Sequence, residues 1–575
     1  MYEGRQIKVE KDNQKMKTEI NMKKNFNIIS IRNVGKKLVI FSELLILFFV
    51  IGSSIAIADT EPSEINTASE IQSNALNQTD SLPELKYAPE NPKFTRYLNN
   101  KNYTQSAPSQ SEYQTGFVPT PVDLSHLSDV SAGHVSAPAY YDLRTLNRVT
   151  DVRDQGHEGT CWAFATYASL ESYLLPEENR DFSENNMKNL LSSAYPEGFD
   201  YTPDEGGNHL MSTAYLARWS GPVDEADDPY DPSNYSSVYS PTGLRVQKHI
   251  RDVLIIPDRK SPMDNDNIKS AVQNYGAVYT TMYVDPAYYS PDQRYYYFNN
   301  DISYPNHAVA IVGWNDSFDK NQFSNVPPGN GAFIVKNSWG KTWGEDGYFY
   351  VSYYDTKLGY DGNVVFTAEN TDNYDSIYQY DPLGWVNSVG YSNPTCWCAN
   401  VFTAKSYEVL KAVGFYTTDS NCNYEIYIHT DPEFSPISRT GYVLAQSGTI
   451  PFAGYHTIPL NSGVKLKAGQ KFSVVLKLTT PGYNFPIAFE YPRSGYSSKA
   501  RANTGESFIS PNGIKWEDLT AHYPNANVCV KAFTYPISFP VANFSSNVSE
   551  GYVPLNVQFN DSSRNATGWY WDFGD

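Results

Sequence analysis

The sequence predicts an α+β chain of several domains, and three observations carry this prediction. The length of 575 residues is several times that of a single core, at roughly 150 residues per domain. Residues 161–175 have a helical composition and stop at Pro176, whereas VAIVGW and FIVKNSW further along are typical of buried strands. From about 367 to 535, short alternating strands such as YEIYIHT and KFSVVLKL lie between Gly-, Pro- and Asn-rich turns, which indicates an antiparallel β-sandwich.

Residues 1–58 have the pattern of a secretory signal peptide. Two lysines precede the apolar run LVIFSELLILFFVIGSS, and the small-residue stretch AIA that follows predicts cleavage before Asp59. A retained membrane anchor is the alternative, which Glu43 inside the apolar run disfavours. The sequence therefore predicts a protein that is secreted or associated with the cell surface.

The charge balance excludes one class of partner. Lys and Arg total 44 against 63 Asp and Glu, a formal net charge of -19. An excess of negative charge repels phosphate backbones and anionic lipid. We therefore expect no nucleic-acid partner.

One cysteine stands apart from all others in the sequence. Cys161, in DQGHEGTCWAFATYASLES, is the only cysteine in the first 395 residues and begins the predicted helix. A helix N-terminus favours the thiolate, which is the nucleophilic form, although a lone buried cysteine is ordinarily a small core residue. Two further residues favour chemistry over packing, namely His307 in NHAVAIVGW and Asn337 in FIVKNSW.

These stretches together resemble the active site of papain-like cysteine peptidases. The stretch DQGxxGxCWAF matches the family's nucleophile segment, and the histidine and asparagine follow in the family's order. The resemblance covers about residues 140–366 and implies a two-lobed fold, with a helical lobe and a β lobe, in a secreted endopeptidase. By resemblance, Cys161 is the nucleophile, His307 the general base and then acid, Asn337 the residue that orients the imidazole, and Gln155 an oxyanion donor.

The same resemblance implies a set of substrate-binding residues. Gly206 and Gly207 in DEGGNH occupy the place of the family's double glycine, whose bare backbone pairs with an extended substrate. Ala308 would line the pocket for the second residue before the scissile bond, and Trp339 would shield the bond between histidine and asparagine. A protein or peptide substrate is implied, with no metal and no cofactor. The alternatives are an inactive homologue that serves as an adhesin, and acyl transfer to an amine in place of water.

The chain departs from the family pattern beside the nucleophile. Glu158 and Asp204 stand where many family members carry the two cysteines of a disulfide. Two carboxylates close together cannot both stay ionised without cost. We expect a bound cation, a shared proton or a nearby basic side chain to compensate; otherwise the two side chains point apart into water.

Residues 59–137 are too polar to bury a core of their own, so they form either a disordered leader or a removable prosegment. They lack the long charged helix of the familiar papain-type inhibitory region. The stretch TGFVPTPVDLSHL, residues 115–127, is instead predicted to occlude the cleft of the peptidase domain, residues 138–366. Maturation is predicted near residues 137–140, just ahead of YDLR.

The C-terminal part of the chain carries two further resemblances. The predicted sandwich, residues 367–535, resembles lectin-like modules found beside papain-type peptidases, so contact with carbohydrate or a cell surface follows by association alone and a structural appendage is the alternative. The end of the chain, 536–575, includes WYWDFGD and resembles the start of a polycystic kidney disease repeat, an immunoglobulin-like sandwich. A terminal strand pair of the preceding domain is the alternative there. The sequence does not predict the oligomeric state.

Four cysteines of the predicted sandwich indicate disulfides in an exported chain. Cys396 and Cys398 are too close in sequence to bridge each other comfortably, so each is expected to reach Cys422 or Cys529, with the pairing left open.

Overall fold

The computed structural model describes residues 82–101, 115–129, 137–233, 238–285, 288–289, 295–296, 304–439, 441–552 and 554–572. These residues belong to two compact units, one of Leu82–Ser538 and one that includes Phe539–Asp575. The predicted signal peptide lies outside the described residues. Within those residues, no helix combines the length and the apolar character that crossing a bilayer requires.

Helices are few in the part of the chain that the structure describes. The α-helices are α1 (Pro92–Lys101), α2 (Cys161–Leu174), α3 (Glu184–Leu190), α4 (His209–Ala217) and α5 (Asp266–Tyr275). Short 3₁₀ helices span Ser125–Asp129, Lys320–Gln322 and Leu519–Ala521.

Strands make up most of the regular structure. They are β1 (Lys86–Tyr87), β2 (Tyr140–Asp142), β3 (His249–Ile256), β4 (Val278–Met282), β5 (Tyr295–Tyr296), β6 (His307–Asn315), β7 (Ala332–Lys336), β8 (Tyr348–Ser352), β9 (Asn363–Glu369), β10 (Ser376–Tyr378), β11 (Asn387–Gly390), β12 (Thr395–Thr403), β13 (Glu408–Thr417), β14 (Cys422–Thr430), β15 (Tyr442–Ile450), β16 (Ala453–Leu466), β17 (Lys471–Thr479), β18 (Ile487–Glu490), β19 (Ser507–Ser510), β20 (Glu517–Asp518), β21 (Asn527–Val528), β22 (Val530–Pro536), β23 (Phe544–Ser546) and β24 (Phe559–Asp561).

Helix α2 is the central helix of the first lobe because its sequence is apolar on nearly every side. Trp162, Phe164, Tyr167 and Leu170 are all buried, which is the pattern of a helix enclosed by protein rather than one that lies at the surface. The helix ends at Leu174 because Pro176, two residues further on, cannot continue it. This agrees with the predicted end of the helix to within a residue.

The second lobe is built on a twelve-stranded sheet that also continues into the predicted sandwich. The strand order is β10-β22-β13-β16-β3-β9-β4-β6-β7-β8-β5, with β2 paired to β6. Strand β3 pairs with β9 on one side and with β16 on the other, so the two predicted domains share one hydrogen-bonded sheet. Strand β9 crosses the predicted boundary at residue 366, and that division stays a prediction.

Two smaller sheets complete the sandwich. A six-stranded sheet has the order β15-β14-β17-β12-β19-β20, and a four-stranded sheet has the order β1-β11-β18-β21. A single core of buried side chains joins both to the end of the large sheet; it includes Phe402, Leu410, Phe415, Ile426 and Phe472. The predicted α+β class with an antiparallel sandwich is confirmed.

The expectation of disulfides is wrong, because all four cysteines of the sandwich are buried free thiols. Cys396 on β12 and Cys422 on β14 are separated by β17, which pairs with both strands. Strands two places apart lie about 9.5 Å from each other, beyond the roughly 4.4–6.8 Å between Cα atoms that a disulfide spans. Cys529 packs into a different core cluster from Cys396 and Cys398.

The described parts of the leader are folded against the rest of the larger unit. Strand β1 pairs with β11 of the sandwich. Phe94 of α1 and Val118 and Val122 of the following stretch are almost completely buried in the core of the first lobe. A disordered leader is therefore wrong for residues 82–101 and 115–129.

The C-terminal unit contains one described strand pair, in which β23 runs antiparallel to β24. Phe544, Phe559 and Trp571 pack together with ring centroids 5.4 to 5.9 Å apart. The resemblance to a polycystic kidney disease repeat stays a prediction.

Candidate active site

Residues far apart in sequence meet where the helix of the first lobe touches the sheet of the second. Cys161 is the first residue of α2, His307 is the first residue of β6, and Asn337 directly follows β7. The backbone N–H of Ala308 donates to the Cys161 sulfur at 3.3 Å. His307 Nε2 lies 2.8 Å from Asn337 Oδ1. The structure thus brings the three predicted catalytic residues into one cluster.

The hydrogen bond to Asn337 assigns the protons of the His307 ring. Because Asn337 Oδ1 is an acceptor, Nε2 carries the ring proton and donates it in this hydrogen bond, which leaves Nδ1 as the unprotonated nitrogen of the neutral ring. Nδ1 is buried and has no hydrogen-bond partner in the described structure. Trp339 covers this pair, with its ring centroid 4.8 Å from that of His307. Nδ1 is therefore the nitrogen available to a thiol proton.

Gln155 is held in one orientation by hydrogen bonds at both ends of its carboxamide. Ser338 Oγ donates to its Oε1 at 2.6 Å, and its Nε2 donates to the backbone oxygen of Glu158 at 2.8 Å. Its own backbone N–H donates to the Ser338 oxygen at 2.8 Å. The side chain is fully buried beside the head of α2. This arrangement directs an amide towards the segment that carries the nucleophile.

The double glycine contacts the leader. Gly207 N–H donates to Gly116 O and Gly207 O accepts from Val118 N–H, both at 2.9 Å, and Phe117 N–H donates to Asn306 O at 3.1 Å. The pairing of Phe117 with Gly207 is parallel. Residues 116–118 thus form an extended segment, joined by an isolated β-bridge to the wall of the cleft.

Both glycines are required by close contacts. Gly206 has φ +112°, which disfavours any side chain, and a Cβ there would lie 2.5 Å from Gly116 O. A Cβ on Gly207 would lie 2.5 Å from the Trp162 ring. Their bare backbone therefore permits both the pairing with the leader and the packing on α2.

Burial under the leader shifts both candidate catalytic groups to their neutral forms. Cys161 and His307 are 0% exposed. Burial raises the pKa of the Cys161 thiol to about 11, against the opposing effect of backbone hydrogen bonds from Ala308 and Gly116. Burial also lowers the pKa of His307 to about 4, although the hydrogen bond with Asn337 opposes this. At neutral pH the pair is therefore a thiol and an uncharged imidazole in this state.

The segments that carry Glu158 and Asp204 are adjacent, as the family pattern implies, since Gly159 N–H donates to Asp204 O at 3.1 Å. The two side chains, however, do not interact with each other and lie in different surroundings. Glu158 is buried and paired with Lys188 at 2.8 Å, whereas Asp204 is exposed and accepts from Thr202. Of the expected compensations, the structure therefore provides the basic side chain, and only to Glu158. No group of three potential metal-ligating side chains occurs among the described residues.

The sequence did not single out several residues that shape this site. Ser338 orients Gln155, Asn306 binds the leader, and Lys188 and Tyr230 contact the loop ahead of Cys161. Ser338 follows Asn337 in the quoted motif, so its position in the sequence could have identified it. Lys188 belongs to no motif, and only the fold brings it to Glu158. Ala308 and Trp339 are both buried, so their contact with a substrate stays a prediction.

Comparison with known proteins identifies the two domains by family and fold. Residues 137–367 match the family model described as papain family cysteine protease, and residues 377–534 match that of a lectin like domain. The crystal structure of the cysteine protease and lectin-like domains of Cwp84, a surface layer associated protein of Clostridium difficile, is similar with a TM-score of 0.68 and 26% identity; the match covers 80% of this chain and 100% of that one.

A second structure, the clostridial cysteine protease Cwp84 after propeptide cleavage, matches 69% of this chain and 99% of its own, with a TM-score of 0.61 and 28% identity. A viral cathepsin of Autographa californica nuclear polyhedrosis virus is 30% identical over 238 residues, which are 40% of this chain and 64% of that protein. The chain thus spans slightly less than two thirds of the length of this curated relative. The protein contains a papain-family cysteine protease domain followed by a lectin-like domain.

Proposed function

We propose that the processed protein is a secreted cysteine endopeptidase. The observation that carries this proposal is the convergence of Cys161, His307 and Asn337, with Ala308 N–H on the sulfur and Asn337 Oδ1 on the imidazole. The family match of residues 137–367 supports the same conclusion. An inactive papain-fold adhesin is disfavoured because every residue type that the chemistry needs is retained in this cluster.

The geometry supports a thioester mechanism with defined roles. His307 Nδ1 takes the Cys161 proton as the sulfur attacks the carbonyl carbon of the scissile peptide bond. The oxyanion that forms accepts hydrogen bonds from Gln155 Nε2 and the Cys161 backbone N–H. His307 then gives its proton to the leaving amine as the C–N bond breaks, and a water molecule later hydrolyses the thioester with His307 as the base. Asn337 keeps the imidazole oriented through both stages.

Residues 59–137 act as an inhibitory prosegment in this proposal. Gly116, Phe117 and Val118 are hydrogen-bonded along the cleft beside Cys161, which leaves no room there for a substrate strand. Removal of the segment would admit water, which favours the charged forms of both the thiol and the imidazole. The related Cwp84 structure after propeptide cleavage supports a leader that is removed.

The deciding experiment compares purified chain with the Cys161→Ala variant. We expect the processed chain to hydrolyse a peptide library and to be labelled by iodoacetamide, and both signals to vanish in Cys161→Ala. Cys422→Ala is the matched control, because that thiol is buried in the sandwich and should affect neither signal. Peptide hydrolysis that persists in Cys161→Ala, or a folded and processed chain that hydrolyses no peptide, would refute the assignment. Added amine tests acyl transfer, because a transferase would yield the amide in place of the acid.

The lectin-like domain supports a second role, contact with carbohydrate at a cell surface. On the outer face of the six-stranded sheet, the rings of Trp397 and Tyr427 are stacked at 5.4 Å, and Tyr442, which is 62% exposed, contacts Tyr427 at 5.2 Å. Trp397 and Tyr427 are partly buried, so Tyr442 is the exposed ring of this group, and its apolar surface could contact sugar C–H groups. The surface-layer association of Cwp84 agrees with such a location. Slower migration in polysaccharide gels that Trp397→Ala abolishes would support this role, and unchanged migration of both proteins would favour a structural appendage.

A further inference from the structure

A buried ion pair lies directly behind the candidate oxyanion donor. Lys188 Nζ is 2.8 Å from Glu158 Oε2, and the two side chains are 1% and 3% exposed. A pair this deeply buried contributes little net stability, because the cost of desolvation offsets the attraction between the charges. It fixes the geometry instead, because loss of either partner leaves the other charge buried and unpaired. Glu158 occupies one of the two disulfide positions that the family resemblance implies, but its partner here is Lys188 and not the residue at the other position, Asp204.

Tyr230 extends this pair into the loop ahead of the nucleophile. Its hydroxyl is 2.8 Å from Gln155 O, 3.1 Å from Glu158 Oε2 and 2.9 Å from Thr160 Oγ1. Burial, together with the charge on Glu158, raises the pKa of Tyr230, so the hydroxyl keeps its proton and can donate. The Lys188 ammonium also lies 5.6 Å from the centroid of the Tyr230 ring.

Lys188 is itself held on a fixed element. It lies on α3, which is capped by Ser183 and anchored by two amide hydrogen bonds to Asp228, from Asn185 at 2.8 Å and from Asn186 at 2.9 Å. Because Tyr230 is two residues beyond Asp228, the same carboxylate places both partners of Glu158. The ammonium and the phenol thus approach the loop from one rigid support.

We propose that the Glu158–Lys188 pair, with Tyr230, is a positioning device for the Gln155 carboxamide. Gln155 Nε2 donates to the backbone oxygen of Glu158, so the place of Glu158 sets where the Gln155 amide points. This inference rests on the proposed peptidase function and deepens it. Glu158, Lys188 and Tyr230 touch no reacting atom and act by fixing the loop that holds Gln155.

The expected kinetic signature is specific to the oxyanion. Removal of one oxyanion donor costs about 10²- to 10³-fold in kcat in other hydrolases. A misplaced donor should cost less, roughly 10- to 100-fold in kcat, with KM changed by less than about threefold. Alkylation of Cys161 by iodoacetamide should stay within about twofold of wild type, since displacement at a saturated carbon forms no oxyanion.

The test uses the processed chain and the variants Lys188→Met, Glu158→Gln and the double variant. We expect each single variant to lower kcat while alkylation persists, and the double variant to lose no more than the worse single variant, because the two residues act as one unit. The double variant leaves no unpaired buried charge, so it guards against failure to fold. Lys531→Met is the matched control: its ion pair with Asp381, at 2.9 Å, is equally buried but lies outside the active site, so it should lower stability and leave kcat unchanged.

The remaining outcomes separate this inference from the proposed function. Loss of hydrolysis and alkylation in parallel would mean a structural role and would overturn the inference, as would unfolding of both single variants while Lys531→Met stays folded. An unchanged kcat in Lys188→Met, beside a Gln155→Ala variant whose kcat falls about 10²-fold or more, would overturn it while the peptidase assignment stands. A wild-type chain without peptidase activity would refute the proposed function itself.

Discussion

Replacement of Gly116 by alanine should free the cleft without changing the identity of any candidate catalytic residue. A Cβ at this position would lie 1.9 Å from Gly159 O and 2.1 Å from Gly159 C, where ordinary contact begins near 3.4 Å. Both obstructing atoms are backbone, so no side-chain rotation relieves the clash. The leader segment 116–118 must therefore move away from the cleft wall by about 1.5 Å.

The size of the effect follows from the hydrogen bonds that such a movement breaks. Three backbone–backbone bonds hold residues 116–118, two to Gly207 and one to Asn306, in addition to the hydrogen bond from the Gly116 backbone to Cys161. Each contributes about 0.5–1.5 kcal/mol net, so loss of all three destabilises the closed cleft by about 1.5–4.5 kcal/mol. Since each 1.4 kcal/mol is tenfold, the open fraction should rise by roughly 10- to 10³-fold.

The assay is the initial rate of Cys161 alkylation by iodoacetamide at pH 7 in unprocessed chain, with processing followed on a gel. Gly116→Ala should react faster than wild type and should also lose its leader sooner. Gly568→Ala is the control, because a Cβ there meets nothing within 4 Å. Equal alkylation rates for wild type and Gly116→Ala, with both chains intact, would refute the argument that residues 116–118 restrict access to the thiol.

Three further predictions concern pH. Burial raises the pKa of Cys161 to about 11, so alkylation of the unprocessed chain should climb only as pH approaches 11, whereas the processed chain should already react at neutral pH; superimposable pH profiles would contradict this. Burial, together with the charge on Asp361, raises the pKa of Asp258 to about 8. Between about pH 4 and 8 the native state then keeps a proton that the unfolded chain has lost, so the free energy of unfolding should decline as the pH rises through this range. Urea unfolding at pH 5 and at pH 8.5 measures this decline, and Asp258→Asn should remove most of it. Burial lowers the pKa of His209 to about 3, so the unfolded chain alone binds a proton as pH falls below about 6.5; melting temperatures at pH 4 and 7 should differ less in His209→Leu, and an equal difference would exclude His209 as the cause.

The candidate catalytic cluster was predictable because its proposed chemistry tolerates few residue types. A thiol, an imidazole and a carboxamide in the family's order carried the resemblance, and the structure brings Cys161, His307 and Asn337 together. The end of α2 was predictable because Pro176 stops any helix. The apolar stretch 115–127 pointed to the cleft, but the parallel pairing of Phe117 with Gly207 had no signal in the sequence.

Other features could not be predicted from the sequence, because they depend on contacts with distant parts of the chain. Cysteine count alone favoured disulfides, whereas strand order separates Cys396 from Cys422 by one whole strand. The two predicted domains share a sheet because β16 pairs with β3, nearly 200 residues earlier in the chain. Composition cannot predict either result, since strand pairing is set by how whole elements pack.

The sequence by itself predicted the proposed chemistry of this protein: which side chain attacks, which moves the proton, and that a helix carries the candidate nucleophile. The roles are implied by the resemblance of three short stretches to papain-like peptidases, and the helix follows from local backbone preference. Tertiary structure alone decided how Glu158 is neutralised, since Lys188 is 30 residues away and meets it only across the lobe. Tertiary structure also decided that the leader lies against Gly207, because backbone hydrogen bonds between distant segments do not depend on residue type and leave no signal in the sequence.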